Sequence, residues 1–293
     1  MTTALSLFAG AGGLDQGARM AGLNVVVSVE REALPAQALV LNGFHPVQAD
    51  VTAVDFSQWR GVDVVFGGPP CQGHSIANNA QRRVDDPRNL LAWEMIRAAE
   101  ETGAGHVLIE NVITMDEGLL AALCAALVRL GYWVSSRQLN AADYGVPQNR
   151  RRRFILASRD LGDHWPMPTH AGRHVPMDAA LAGLTFRSAP LPEWMVQKGV
   201  RPEWRLIDAQ NVSKKGAQGR AGHMTAYTMT GQSYYHRVRT APGEYGMLDP
   251  HGMARLQSFS DGHRFVGNRD QQARQIGNAV PPLLAYHLLR GVA

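Results

Sequence analysis

Short unbroken apolar runs alternate with amphipathic stretches through the first half of the chain. ALSLF predicts a strand, a glycine-rich turn follows, and LDQGARMAG predicts a helix. NVVVSVE, VDVVFGG and HVLIENV predict further strands, separated by helical patterns in EALPAQALVLNG and NLLAWEMIRAAEET. EGLLAALCAALVRLG predicts another helix, and YWVSSRQLN and RRFILAS end the series as strands. Strands of continuous Val, Ile and Leu are covered on both faces, so the expected fold is α/β with a mostly parallel, doubly wound sheet. Ligands of such sheets sit beyond the C-terminal strand ends, which directs attention to the segments after ALSLF, VSVE, VVFGG and VLIE.

From about residue 160 the alternation stops. Pro166, Pro168, Pro176, Pro190, Pro192 and Pro202 interrupt the chain, three of its six Trp fall there, and patterned runs are short. This predicts a smaller irregular domain. A helical pattern returns at AVPPLLAYHLLRGVA, dense enough in apolar residues to pack back onto the first domain. The expected division is therefore residues 1–159 with 272–293, and residues 160–271.

Composition narrows the class. The 293 residues are 45% hydrophobic and 18% charged, which excludes a disordered chain. Two cysteines cannot hold a disulfide scaffold of this length. No apolar run reaches ~18 residues and the N-terminus lacks a basic flank, so a soluble intracellular protein is expected. The net charge of +4 conceals a division: residues 1–149 carry 9 Arg and no Lys against 15 acids, and residues 150–275 carry 16 Arg and 3 Lys against 10. An acidic half suited to chemistry and a basic half suited to a polyanion fit that pattern, although solvated arginines alone would give the same count.

The glycine turn FAGAGGLDQG (residues 8–17) lets a ligand approach the main chain at Gly10, Gly12 and Gly13. It has no Gly-Lys-Ser/Thr to hold a terminal phosphate, and its spacing departs from the dinucleotide GxGxxG. A purely structural turn would use the same glycines. Glu30 closes the second strand, where an acid can accept from ribose hydroxyls, and Asp50 ends VQAD, where it can accept from an exocyclic adenine amine. Either could be a solvated loop carboxylate. Together they outline a site for a nucleoside without a phosphate tail, which suits adenosylmethionine better than NAD or ATP.

GGPPCQGHS (residues 67–75) is the most informative stretch. Pro69 and Pro70 stiffen the approach to Cys71, and a thiol in a rigid polar loop is a candidate nucleophile. Cys124, within LLAALCAALV, has the surroundings of a core residue. A zinc site would need more ligands at regular spacing, and His170 with His174 reads as a surface pair. A cysteine-protease arrangement stays open on these residues alone. HVLIENV brings Glu110 and Asn111 to the same sheet edge, and a thiolate with a carboxyl group can act together on an electron-poor ring. In QNRRRRF, strand alternation would put Arg150 and Arg152 on one face and Arg151 and Arg153 on the other.

FAGAGG, PPCQG, ENV, DYGVPQNRRR, ARLQSF and QIGNAVPP, in this order over nearly the whole chain, resemble the DNA (cytosine-5)-methyltransferase family. The resemblance implies a class I adenosylmethionine-dependent methyltransferase fold with a smaller DNA-recognition domain. It implies Cys71 as the nucleophile at carbon 6 of a flipped-out cytosine and Glu110 at ring N3 and the exocyclic amine. Arg152 would hold the O2 side, and Arg150 would support the loop or Glu110. For S-adenosyl-L-methionine it implies Phe8, Ala9, Gly10, Gly12, Gly13, Glu30, Asp50, Pro70, Asn278 and Val280. For double-stranded DNA it implies Gln72, Ser75, Arg82, Arg88, Gln148, Lys214, Lys215, Arg220, Arg237 and Arg239, with residues 72–91 as a covering loop and 228–230 as a short Thr-containing signature. No metal and no membrane are expected, the protein would be a cytoplasmic monomer, and a cognate restriction endonuclease would be an optional partner. The sequence departs from the family at YGMLDPHGM, where Asp249 and Gly252 stand for Thr and Glu, at Ser260 for proline, and at His74 for an aromatic. An inactive relative that only docks on DNA, or a tRNA methyltransferase on the same fold, are the other readings.

Overall fold

The computed structural model describes residues 1–70, 87–162, 164–201, 203–208 and 218–293. They form two compact units, one of Met1–Asn140, Arg151–Met167 and Leu284–Ala293, the other of Ala141–Arg150 and Pro168–Leu283.

Among the described residues the first unit is built on a seven-stranded sheet. Its strands are β1 (Thr3–Leu7), β2 (Asn24–Glu30), β3 (Pro46–Gln48), β4 (Val64–Gly67), β5 (His106–Val112), β6 (Trp133–Asn140) and β7 (Arg151–Ser158). They lie in the order β3-β2-β1-β4-β5-β7-β6. All run parallel except β7, which is antiparallel to both neighbours. Helices α1 (Gly13–Met20), α2 (Ala33–Leu41), α3 (Trp93–Thr102) and α4 (Glu117–Arg129) make the crossovers. The expected α/β class and mostly parallel sheet are what the chain adopts.

The apolar runs explain the layering. Leu5 and Leu7 on β1, Val65 on β4, and Val107 and Ile109 on β5 share one buried cluster with Met95 and Leu123 of the helices. Burial of strands on both faces removes their apolar side chains from water, and each such side chain contributes about 1.5–3 kcal/mol. The edge strand β6 shows the opposite character, with Trp133 mostly exposed. Strand order reverses between β1 and β4, so the segments after these two strands diverge and open a crevice at the sheet's C-terminal edge.

In the second unit short antiparallel strands form a five-stranded sheet among the described residues: β8 (Ser188–Pro190), β9 (Leu206–Ile207), β10 (Gly219–Arg220), β11 (Arg237–Ala241) and β12 (Glu244–Met247), ordered β10-β9-β11-β12-β8. Helices α5 (Met177–Leu181), α6 (Glu193–Gln197), α7 (Pro250–Leu256) and α8 (Arg269–Asn278) accompany it. Leu206, Met229, Val238, Leu248, Met253, Leu256 and Ile276 pack into its core. Asp249, where the family pattern has Thr, caps α7 by accepting from the Gly252 N–H at 2.7 Å, with Pro250 in the first turn.

The bounds of these units differ from the expected division into 1–159 with 272–293 and 160–271, and residues 160–167 fall in the first unit. Residues 141–150 and 272–283 belong to the second one. The reason is hydrogen bonding and packing: Asn149 N–H donates to Ala226 O and Ala226 N–H to Pro147 O, while Ala273 and Ile276 of α8 are core residues there. The last helix, α9 (Pro282–Leu289), returns the chain to the first unit from Leu284 onward.

Gly277 on α8 lies flush against the Thr230–Gly231 peptide, where a methyl group would collide with backbone. Gly277→Ala should therefore destabilise by about 1–3 kcal/mol, seen as a lower urea midpoint. Gly262→Ala, which meets nothing described within 4 Å, should stay within roughly 0.5 kcal/mol of the parent.

Candidate active site

Strand β1 ends at Leu7 and the chain turns at once. Phe8 has φ of 53°, followed by Gly10 at 55° and Gly12 at 87°. A side chain at Gly12 would be strained and would press on Leu39 Cδ2 at 3.0 Å, so glycine is required there. At Gly10 an added Cβ would meet no described atom within 4 Å, so space lies open beside its Cα, although its φ would still strain a side chain. Ala9 and Gly13 are buried in the turn.

Three carboxylates surround this turn. Glu30, at the end of β2, accepts from Gly10 N–H at 2.8 Å and from Glu32 N–H at 2.7 Å. Burial pushes its carboxyl above the ordinary range, and those N–H bonds pull the other way. Asp50 follows β3 and accepts from the Thr52 N–H at 3.0 Å and its hydroxyl at 2.8 Å, with Arg31 3.7 Å away. These bonds hold the largely exposed Asp50 below the usual carboxylate range. Asp15, in the first turn of α1, is fully buried and was not singled out by sequence reasoning. Ser28 Oγ donates to its Oδ1 at 2.5 Å and Ser6 Oγ to its Oδ2 at 3.1 Å. Desolvation raises its pKa to about 6, against the pull of the serine bonds. The signal available in the sequence was an acid inside an amphipathic helix flanked by two strand serines.

The second group of residues gathers where β4 and β5 end. A Cβ on Gly67 would stand 2.6 Å from Leu7 O and 2.8 Å from Met95 Sδ, so β4 finishes in close contact with β1 and α3. At Gly68 the nearest atom would be Glu110 Oε2, at 3.0 Å. Asn111 Nδ2 donates to Pro69 O at 3.5 Å, and its Oδ1 accepts from Val112 N–H at 2.8 Å. Glu110 is ion-paired with Arg152, Nε to Oε1 at 3.0 Å, and both side chains are mostly buried. Pro70 ends this described segment. Cys71, Gln72, Ser75, Arg82 and the rest of the covering loop to residue 86 lie outside the described residues, as does the side chain of Arg88.

The arginine run resolves into separate functions. Arg153 turns to the other face from Arg152 and pairs with Glu117 at 2.7 Å. Arg151 is exposed. Arg150 is the residue expected to support the loop or Glu110. It precedes β7, is 1% exposed, and donates to Met229 O at 2.8 Å and Gly277 O at 3.1 Å inside the second unit. Gln148, expected at DNA, has its side chain engaged inside the second unit. It is fully buried, donating to Leu256 O at 3.0 Å and to Gln257 Oε1, and accepting from Met229 N–H at 2.7 Å. Thr228 of the Thr-containing segment donates to Asn149 O at 2.7 Å, so that segment and QNR brace each other.

The remaining expected residues are distributed over the second unit. Asn278 is exposed at the end of α8 and Val280 is buried beyond it. Arg220 donates to Thr225 O at 2.9 Å and stacks over Tyr227, 4.5 Å from the ring centroid. Arg237 and Arg239 are half-buried on β11; Lys214 and Lys215 lie outside the described residues. In the first unit Cys124 packs against the main core, and burial pushes its thiol up, as expected of a structural residue. His174 pairs with Asp143 at 2.8 Å rather than with His170. Among the described residues no helix is long and apolar enough to cross a membrane.

The model of the family "C-5 cytosine-specific DNA methylase" matches residues 2–178 and 186–292. The chain belongs to this family. It is 31% identical over 320 residues to the Type II methyltransferase M1.HphI of Haemophilus parahaemolyticus, covering 99% of this chain and 86% of that one. It is also 31% identical over 328 residues to Type II methyltransferase M.Eco47II of Escherichia coli, covering 99% and 78%. In fold it is similar to the crystal structure of a Spodoptera frugiperda DNMT2 mutant, with a TM-score of 0.75 at 16% identity over 100% of this chain and 99% of the other. The C-5 cytosine DNA methylase is an enzyme of the class I methyltransferase fold, and its reaction is methyl transfer to carbon 5 of cytosine in DNA.

Asp15 gives the stability of the fold a pH dependence. Its carboxyl binds a proton more tightly in the folded chain, at about 6, than at the ordinary 3.8. The folded state is therefore favoured at low pH and loses roughly 3 kcal/mol as pH rises through that interval. Asp15→Asn should gain on the parent by that order between pH 4 and pH 8 in urea unfolding. An unchanging difference across that range would remove the buried carboxylate from the account.

Proposed function

We propose that this methyltransferase binds S-adenosylmethionine at the C-terminal ends of β1, β2 and β3, and that it acts on a cytosine flipped from duplex DNA through a covalent bond to Cys71. The observation that carries the reading is Glu110, paired with Arg152 and lying against Gly68 in the segment that leads to Cys71.

The cofactor fits the donor set. Space lies open beside the Gly10 Cα, and the half-buried Glu30 and exposed Asp50 offer carboxylate oxygens to hydroxyl and amine donors. Phosphate has no cationic side chain in the turn to receive it, and Glu30 would repel it. Phe8 would stack on the adenine, Gly10 and Gly12 would meet the methionine part, Glu30 would hold the ribose and Asp50 the adenine amine. Asn278 and Val280 are assigned to the cofactor by resemblance alone.

Neutral cytosine is a poor nucleophile at carbon 5, so the chemistry needs covalent activation. The Cys71 thiolate adds to carbon 6, forming the sulfur–carbon bond while the ring's π pair makes carbon 5 electron-rich. Glu110 holds a proton at ring N3 in that step, and Arg152 keeps the carboxyl oriented and faces the O2 side. When bound, S-adenosylmethionine supplies an electrophilic methyl group that carbon 5 takes up. Loss of the carbon-5 proton to solvent base then restores the ring double bond and expels the Cys71 thiolate. Residues 72–91, including Gln72, Ser75, Arg82 and Arg88, would close over the extruded base. Lys214, Lys215, Arg220, Arg237 and Arg239 would meet phosphates or base edges. The protein would act as a monomer in the cytoplasm, with or without a cognate endonuclease.

Cys71→Ser should abolish methyl transfer, followed with radiolabelled cofactor, while DNA retention survives. Surviving turnover would exclude Cys71 as the nucleophile. Glu110→Gln should lower kcat by about 10²–10⁴-fold with DNA affinity retained. Duplex DNA should be methylated and tRNA should not; preference for tRNA would overturn the substrate.

A further inference from the structure

Asp15 occupies a place that the reaction as described does not use. It is a fully buried carboxylate, and the contacts that satisfy it are two serine hydroxyls and its own backbone rather than a salt-bridge partner. Placing an acid there is costly, because burial disfavours its charged form and an apolar side chain would fill the space without that penalty. Costs of this kind are retained where geometry matters more than stability.

The three elements that meet at Asp15 indicate what is being held. Ser6 lies on β1 two residues before Phe8. Ser28 lies on β2 two residues before Glu30, whose carboxylate receives the Gly10 N–H. Asp15 itself sits in the first turn of α1, directly after Gly12 in its left-handed conformation. One carboxylate thus ties together the two strands and the helix that set Phe8, Glu30 and the glycine turn. Asp50 is held by donors of its own loop and Glu30 links β2 to the glycine turn through a backbone N–H, whereas Asp15 joins β1, β2 and α1 at once through side-chain hydroxyls.

We infer that Asp15 is a positioning residue for the cofactor, fixing α1 against β1 and β2 through Ser6 and Ser28 so that Phe8, Gly10 and Glu30 keep one mutual geometry. The inference rests on the reading of this turn as the S-adenosylmethionine site. Its effect falls on binding, since Asp15 touches neither the cytosine residues nor Glu110 in their network. A residue that only stabilised the fold would lower the active fraction, and so the apparent kcat, without changing cofactor affinity in the molecules that remain folded.

The test is calorimetric titration of the full chain with S-adenosylmethionine, alongside steady-state kinetics on duplex DNA. Asp15→Ala should weaken cofactor affinity and raise its KM at least tenfold, with kcat at saturating cofactor within about twofold. Asp15→Asn, which keeps one acceptor oxygen, should recover most of the affinity. Ser6→Ala and Ser28→Ala should each fall between, and they supply the test if Asp15→Ala does not fold. Affinity within twofold of the parent in folded Asp15→Ala, or in both serine variants, would overturn the inference, as would a fall in kcat with KM unchanged. Failure of the parent chain itself to bind S-adenosylmethionine would instead overturn the cofactor reading on which the inference stands.

Discussion

The close approach of β1 and β4 at their C-terminal ends governs the arrangement of everything functional in the first unit. Leu7 and Gly67 are register partners, and Gly67 is glycine because a Cβ there would meet Leu7 O and Met95 Sδ. With the strands this close, Phe8 and Gly68 leave adjacent positions on one sheet edge, and the reversal of strand order sends their chains apart. The glycine turn therefore opens on one side of that point and the segment that leads to Cys71 on the other. β5 lies next to β4 and delivers Glu110 alongside Gly68, while β2 lies next to β1 and delivers Glu30 to Gly10. The two groups of residues are brought to one sheet edge by strand adjacency.

Electrostatics then differentiates the acids that this geometry collects. Glu110 is neutralised by Arg152 at 3.0 Å, which fixes its direction. Asp50 is exposed and held low by the Thr52 donors, so it stays an acceptor. Glu30 and Asp15 are raised by burial, one open to the turn and the other sealed beneath it. The acidic excess of residues 1–149 is partly this set, and the basic excess that follows begins with Arg150, whose guanidinium donates to two carbonyl groups of the second unit's core.

Much of this was legible from residue patterns, for physical reasons that also mark where reading fails. Continuous Val and Leu runs announce strands buried on both faces because no alternation survives there, and β1, β4 and β5 follow that rule. Period-two alternation separates Arg152 from Arg153 because both are in β7, but it does not extend to Arg150, which lies one residue before the strand and obeys a turn. Gln148 reads as a polar contact residue in isolation; only the tertiary fold shows its amide consumed by Gln257, Leu256 and Met229. Segment membership was hidden for the same reason. Residues 141–150 sit between two strands of the first sheet, yet their hydrogen bonds run to Ala226, more than 70 residues away in the chain.

The proposed reaction turns on a covalent bond between Cys71 and cytosine carbon 6. The most direct measurement is incubation with cofactor and duplex DNA carrying 5-fluorocytosine at a verified target site, followed by peptide mapping of the trapped complex. Fluorine cannot leave as the carbon-5 proton does, so release of the thiolate is blocked. The proposed reaction should give a stable, stoichiometric adduct on the peptide containing Cys71, dependent on S-adenosylmethionine. Methylation of ordinary DNA at that site with no such adduct, or an adduct on Cys124, would contradict it.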